Sequence, residues 1–312
     1  MKRKETSSLI PEIILDHENI EFVEFQRIYS ESQVLLIRRP RVKQLKQPRE
    51  LVANIWKNAS DDIKRTWCIE NTESEIIEDP FDMICSDTCN KTWYSSFVFK
   101  GDNEQCFNKM VGELPVGELP VVNDGDKLVH GKAVWFFIGQ NRQDKISFAG
   151  RSLHTDDVPH NGTWHLQVSG SKRWFIKPTE ALGTDIFPDR EISITCEAGD
   201  ILILNTKLWW HRTELPPGSF PSISYARDIF LGTPVVESDM TNQDGLYAAT
   251  FIPSGTIIFC ESDMPSCSLP RVEVSPNCEV AELEDGQMAL VSARDIMEGE
   301  WFNMLESDES DA

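Results

Sequence analysis

The chain has 312 residues, 40% of them hydrophobic, enough for one large domain and a small second one. A formal charge of −21 argues against general affinity for nucleic acid, which needs many lysines and arginines to release counterions, and favours a Lys/Arg-rich partner instead. Eight irregularly spaced cysteines, no apolar run of bilayer length and no leader-like start predict a soluble intracellular protein with free thiols, cytoplasmic or nuclear.

The opening MKRKETSS and closing ESDESDA are short and charged, so both ends are expected to fray, within an N-terminal extension over 1–25 and an acidic tail over 306–312. SQVLLIRRP (32–40) predicts a buried strand running into a basic stretch, 38–49, that is a solvated loop or, less specifically, a nuclear address. PRELVANIWKNA (48–59) has apolar residues at 51, 52, 55 and 56 with Pro48 near its start, the pattern of a helix. The acidic 70–87 stretch and the VGELPVGELPVV duplication (111–122) show no pattern of a packed element.

From about 130 to 232 the texture changes. AVWFFIG, KISFAG, TWHLQV, RWFIKP, ISITC, DILILN and SISYARDIFL are short Val/Ile/Phe/Trp-rich runs separated by Gly, Asn, Asp and Pro, which predicts a β-sandwich or barrel.

Three elements of this region could carry chemistry. His154 and Asp156 are two apart, so on an extended strand both face one way and can grip one ion; a surface ion pair is the plainer alternative. In EAGDILILNTKLWWHRTELPP (197–217) a Gly-Asp turn launches an apolar strand expected to end at Trp209, Trp210 and His211. Two imidazoles and a carboxylate form the facial set suited to non-haem iron(II), although zinc or manganese accepts the same ligands. Between them, TWHLQVSGSKRWFIKP (163–178) reads as a hairpin turning at Gly170, with Lys172, Trp174 and Ile176 on one face. A lysine so placed either snorkels at a rim or neutralises a buried anion. His160 is expected in a loop, and His165 as a satisfied structural histidine or a group on the substrate side.

The order HxD, G-S-K-R-W hairpin, Gly-Asp strand, W-W-H and SISYARDIFL resembles the cupin-like and JmjC-type iron(II)/2-oxoglutarate oxygenases, over roughly Val34 to Leu231. The resemblance implies a double-stranded β-helix core in a mainly β domain with flanking helices, spanning 26–235. It implies His154, Asp156 and His211 as iron ligands and Lys172 as the partner of the far carboxylate of 2-oxoglutarate. Thr163 is the nearest match to a family residue beside the co-substrate, and Arg227 competes with Lys172 for the anion. A tyrosine from an earlier strand is common in the family, but Trp135, Phe136 and Phe137 stand where it is sought.

The tail, 236–305, predicts a small β module of two hairpins: GLYAATFIPSGTIIF (245–259), and 278–302 with Asp285-Gly286 at its bend. It resembles the first and last pieces of SET-type methyltransferase domains. VEVSPNC lacks the family's Asn-His, no tyrosine follows Gly299-Glu300, and the middle of such a domain is missing, which implies a non-catalytic remnant. The expected activity is therefore hydroxylation or demethylation of a protein side chain with Fe(II) and 2-oxoglutarate. The rivals are a non-catalytic cupin-like module for a basic protein partner and, least favoured, methyl transfer by the tail.

Overall fold

The computed structural model describes residues 2–3, 10–15, 19–39, 47–75, 80–85, 91–100, 104–122, 128–143, 145–158, 160–182, 190–218, 220–231, 257–260, 271–272, 276–282, 288–294, 296, 302 and 304–305. These fall into two compact units, one of 1–124, 130–157 and 162–229, the other of 125–129, 158–161 and 230–312.

In the first unit the elements used below are β1 (Glu12–Ile14), α1 (Phe22–Ser32), β2 (Val34–Arg38), α2 (Pro48–Asn58), α3 (Pro80–Cys85), β3 (Trp93–Lys100), α4 (Glu104–Glu113), β4 (Ala133–Gln140), β5 (Phe148–Ala149), β6 (Gly162–Ser169), β7 (Ser171–Pro178), β8 (Ile192–Glu197), β9 (Ile201–Leu204), β10 (Trp209–Leu215) and β11 (Ser222–Leu231). The larger sheet runs β1-β2-β9-β6-β11-β4-β3, and the smaller runs β5-β10-β7-β8. From β4 to β11 the eight strands pair first with last and third with sixth in one sheet, second with seventh and fourth with fifth in the other. That is the topology of a double-stranded β-helix, or jelly roll, which the family resemblance implies and the β-rich run pattern allows.

The burial pattern explains the sheet assignment. Along β7 buried and half-buried residues alternate strictly, as on a strand with one face in a core. Strand β6 is buried at all eight positions, since both its faces are covered. Inside, Val34, Leu36, Leu202 and Leu204 of the larger sheet pack with Trp174, Ile176, Ile192, Ile194 and Trp209 of the smaller. Outside, Trp56 of α2 packs edge-on against Phe97 at 5.0 Å, and Phe97 stacks on Phe136 at 4.9 Å. Helix α2 begins at Pro48, whose fixed φ suits a first helical residue, and buries Val52, Ala53, Ile55 and Trp56.

Several expectations need correction. The acidic stretch contains α3, which buries Met83 and Ile84, and the duplicated stretch begins in α4 and buries Leu114, Leu119 and Val121. In both, a few apolar residues among acids and prolines suffice because they meet a core supplied by distant segments. The apolar run from Asp200 does not continue to His211. It breaks after Leu204, where the Asn205 side-chain oxygen accepts from Lys207 N at 3.2 Å and its carbonyl from Leu208 and Trp209 N. This Asx-type turn carries the chain from the larger sheet to the smaller, so His211 is the third residue of a new strand.

The hairpin between β6 and β7 turns at Gly170, φ +61°, where a Cβ would lie 2.7 Å from the Pro221 carbonyl oxygen. Gly170→Ala is expected to cost about 1–2 kcal/mol from the left-handed backbone, plus the contact, read as a lower urea midpoint.

The second unit has a five-stranded sheet of β12 (Ile257–Cys260), β13 (Arg271–Val272), β14 (Cys278–Glu282), β15 (Met288–Ser292) and β16 (Met304–Leu305), in the order β12-β15-β14-β16-β13. β14 and β15 pair antiparallel as the second predicted hairpin requires, while its bend at Asp285-Gly286, the 245–256 stretch and the acidic tail lie outside the described residues.

Candidate metal centre

His154 follows β5, Asp156 lies two residues on, and His211 sits in β10. His154 and His211 exchange two backbone hydrogen bonds, of 3.1 and 2.8 Å, and Asp156 N donates to Thr206 O at 3.0 Å. The three ligand positions are thus fixed by main chain, not by their side chains.

The side chains converge. His154 Nε2 is 3.6 Å from Asp156 Oδ1, His211 Nε2 is 3.8 Å from Asp156 Oδ2, and the three ligand atoms lie within 4.8 Å of one another. Ligand atoms that each bond one ion at about 2.1 Å can be at most about 4.2 Å apart, and each imidazole lies within that distance of one Asp156 oxygen.

The second ring nitrogens set the chemistry. His154 Nδ1 lies 2.6 Å from Ser152 O, and His211 Nδ1 lies 3.0 Å from Trp209 O. A carbonyl only accepts, so each Nδ1 carries a proton, which leaves Nε2, turned toward Asp156, as the nitrogen free to ligate in the neutral ring. His154 Nε2 is buried with no hydrogen-bond partner. Burial, aided by the neighbouring His154, lowers the pKa of His211, which favours the neutral ring that a metal ligates.

Lys172 lies deeper, between the sheets. It is 1% exposed and donates from Nζ to Ser224 Oγ at 2.6 Å. Its ammonium stands over the rings of Phe137, Tyr94 and Trp174 at 4.7, 5.3 and 5.7 Å. No carboxylate lies within ion-pairing distance of it among the described residues. Burial pushes its pKa down to about 7, against smaller opposing pulls from Cys196 and Glu70. This is a buried basic group with no carboxylate partner among the described residues, so it does not snorkel at a rim. Ile176 opposes His211 across the β7–β10 pair and Lys172 is four residues further along β7, roughly 13 Å. A lysine side chain and a short dicarboxylate together can bridge that separation.

The other sequence candidates are placed differently. Thr163 is buried, and its hydroxyl donates to Asp228 Oδ1 at 3.1 Å. Arg227 points to the opposite face of β11 from Ser224, where its guanidinium donates to the carbonyls of Gly117 and Gly131 and lies over Phe107, so it does not meet Lys172. Of the three aromatic residues considered for the tyrosine position, Phe137 faces Lys172, Phe136 packs outward on Phe97, and Trp135 is partly exposed. The tyrosine near the lysine is Tyr94 of β3, paired with Gly139. The run TWYSSFVFK, apolar with β-rich residues, was the available signal for that strand. His160 lies beside Phe230 at 6.2 Å.

Two cavities, of about 420 Å³ beside Ile192–Thr195 and about 1080 Å³ around the Gly170 turn, border none of the triad residues. No helix among the described residues is long and apolar enough to cross a membrane.

No family model and no curated protein sequence matches the chain. Among solved structures, a dioxygenase for auxin oxidation from rice aligns with 72% of this chain and 83% of that one, at 14% identity and a TM-score of 0.37.

Proposed function

We propose that the chain is an iron(II)- and 2-oxoglutarate-dependent oxygenase that hydroxylates or demethylates a side chain of a protein or peptide, its substrate being basic. The observation that carries this reading is the pairing of two centres: a two-histidine, one-carboxylate set with both Nε2 atoms turned toward the carboxylate, and a buried lysine lacking a carboxylate partner among the described residues.

The residues present suit the cofactors. His154, Asp156 and His211 would hold the metal on one face, leaving the opposite positions for ligand and oxygen. Lys172 would neutralise the far carboxylate of 2-oxoglutarate, with Thr163 a candidate nearby on β6; Arg227 remains the weaker alternative because its donors are occupied. Iron(II) bound there would supply oxygen activation coupled to decarboxylation of the keto acid. The chain's own work is orientation and exclusion of water: the Ser152 and Trp209 carbonyls hold the imidazole tautomers, and Phe137, Tyr94 and Trp174 line the space around Lys172. A net charge of −21 supports a basic substrate, which it would draw toward the surface.

Succinate formation tests the reading. Purified protein with Fe(II), 2-oxoglutarate and oxygen should release succinate even without substrate, slowly, and faster with Lys/Arg-rich peptides. A metal-loaded protein that forms none would defeat it and return the chain to a non-catalytic cupin-like binder of basic proteins. Heat on titration with S-adenosylmethionine would instead favour a methyltransferase role for the tail.

A further inference from the structure

The ring contacts around Lys172 include another buried group with a ring nitrogen that the described residues leave unpartnered. His165 lies on β6 with its Nδ1 buried and unpartnered. Its ring meets Trp174 edge-on at 4.7 Å and Phe137 at 5.8 Å. The Lys172 ammonium stands over the same two rings, 4.7 Å from Phe137 and 5.7 Å from Trp174. A cation and an imidazole therefore share two aromatic walls. Burial, with Lys172 and His211 adding to it, drives the His165 pKa well below its ordinary value, so the ring is neutral and carries one N–H. A buried ring nitrogen left without a partner in a native interior calls for a missing one, and the neutral ring can place its N–H on Nδ1 to meet an acceptor.

We propose that His165 is a specificity-determining residue that reads the far carboxylate of a dicarboxylic keto acid together with Lys172. Lys172 supplies the charge, and His165 supplies a directed hydrogen bond to the second oxygen or lone pair. A neutral second donor suits this role because a second cation beside Lys172 would raise the cost of burial in the ligand-free protein. A carboxylate meets both groups, whereas a keto monoacid of the same metal-chelating end leaves Lys172 without a counter-ion and His165 Nδ1 without a partner. The inference rests on reading the triad as an iron and 2-oxoglutarate site.

The test is anaerobic calorimetric titration of the Mn(II)-loaded full-length chain with 2-oxoglutarate and with 2-oxobutyrate, which lacks the far carboxylate. His165→Phe keeps the aromatic packing and removes the N–H. It is expected to weaken 2-oxoglutarate by about tenfold or more, the effect of losing a hydrogen bond to a charged group, while 2-oxobutyrate and Mn(II) affinities stay as in wild type. His165→Gln, which retains a donor, should recover part of the loss, and His165→Leu carries the same comparison if the phenylalanine variant does not fold. Equal 2-oxoglutarate affinity in wild type and His165→Phe, or an equal loss for both acids, would overturn the proposal while leaving the oxygenase reading intact. Wild-type protein that binds Mn(II) but not 2-oxoglutarate would overturn that reading and this inference with it.

Discussion

Replacing His211 with alanine is expected to lower Mn(II) or Fe(II) affinity by more than about a hundredfold, because loss of a partner merely supporting a metal ligand already costs 10–100-fold. His154→Ala and Asp156→Ala should do the same, and succinate formation should vanish with each. The effect should be local. The backbone bonds between His154 and His211, and from Asp156 N to Thr206 O, do not involve the side chains, so the variants should keep the wild-type fold by circular dichroism. Arg227→Met gives the contrasting result: metal affinity unchanged, stability reduced, because the carbonyls of Gly117 and Gly131 lose their donor. Metal affinity that survives any single triad substitution would mean that the ion binds elsewhere.

Lys172→Met should raise the stability of the ligand-free protein at pH 7 and abolish binding of 2-oxoglutarate. The folded-state pKa is about 7 against an ordinary 10.5, so between those values the unfolded chain holds a proton that the folded chain has given up. Stability of the wild type therefore rises as pH increases from about 7 toward 10.5, and a shift of this size is worth several kcal/mol. Methionine has similar length and no charge to desolvate, so the variant should lose that rise, at the smaller expense of the Ser224 hydrogen bond and the ring contacts. Urea unfolding at pH 7 and pH 10 measures both effects, and the difference between the proteins cancels other titrating groups. A bound dianion should raise the Lys172 pKa and flatten the wild-type profile toward that of the variant. Parallel profiles for the two ligand-free proteins would contradict the account.

Much of the core was legible because strand periodicity is local. The alternation Lys172, Trp174, Ile176 is visible in eight residues, and the structure buries those side chains on the inner face of β7. HxD and W-W-H were visible as residue types, yet their convergence depends on an isolated bridge between segments 57 residues apart. What escaped the sequence was set by distant packing. Tyr94 belongs to a strand that precedes the β-rich region, and its place beside Lys172 follows from pairing with β4. Met83 and Ile84 form a helix in an acidic stretch because a core elsewhere in the chain receives them. The break at Asn205 was hidden between two apolar runs, although the asparagine itself was the turn signal. Ser224, the hydrogen-bond partner of Lys172, lay in plain view within SISYARDIFL, but only the β7 to β11 arrangement assigns it.

The most direct measurement is a crystal structure of the protein grown with Mn(II) and 2-oxoglutarate, read at the manganese anomalous signal. The account predicts one peak about 2.2 Å from His154 Nε2, an Asp156 carboxylate oxygen and His211 Nε2, with ligand density running from it to the Lys172 ammonium. A peak away from these three side chains, or a keto acid whose far carboxylate avoids Lys172, would contradict it.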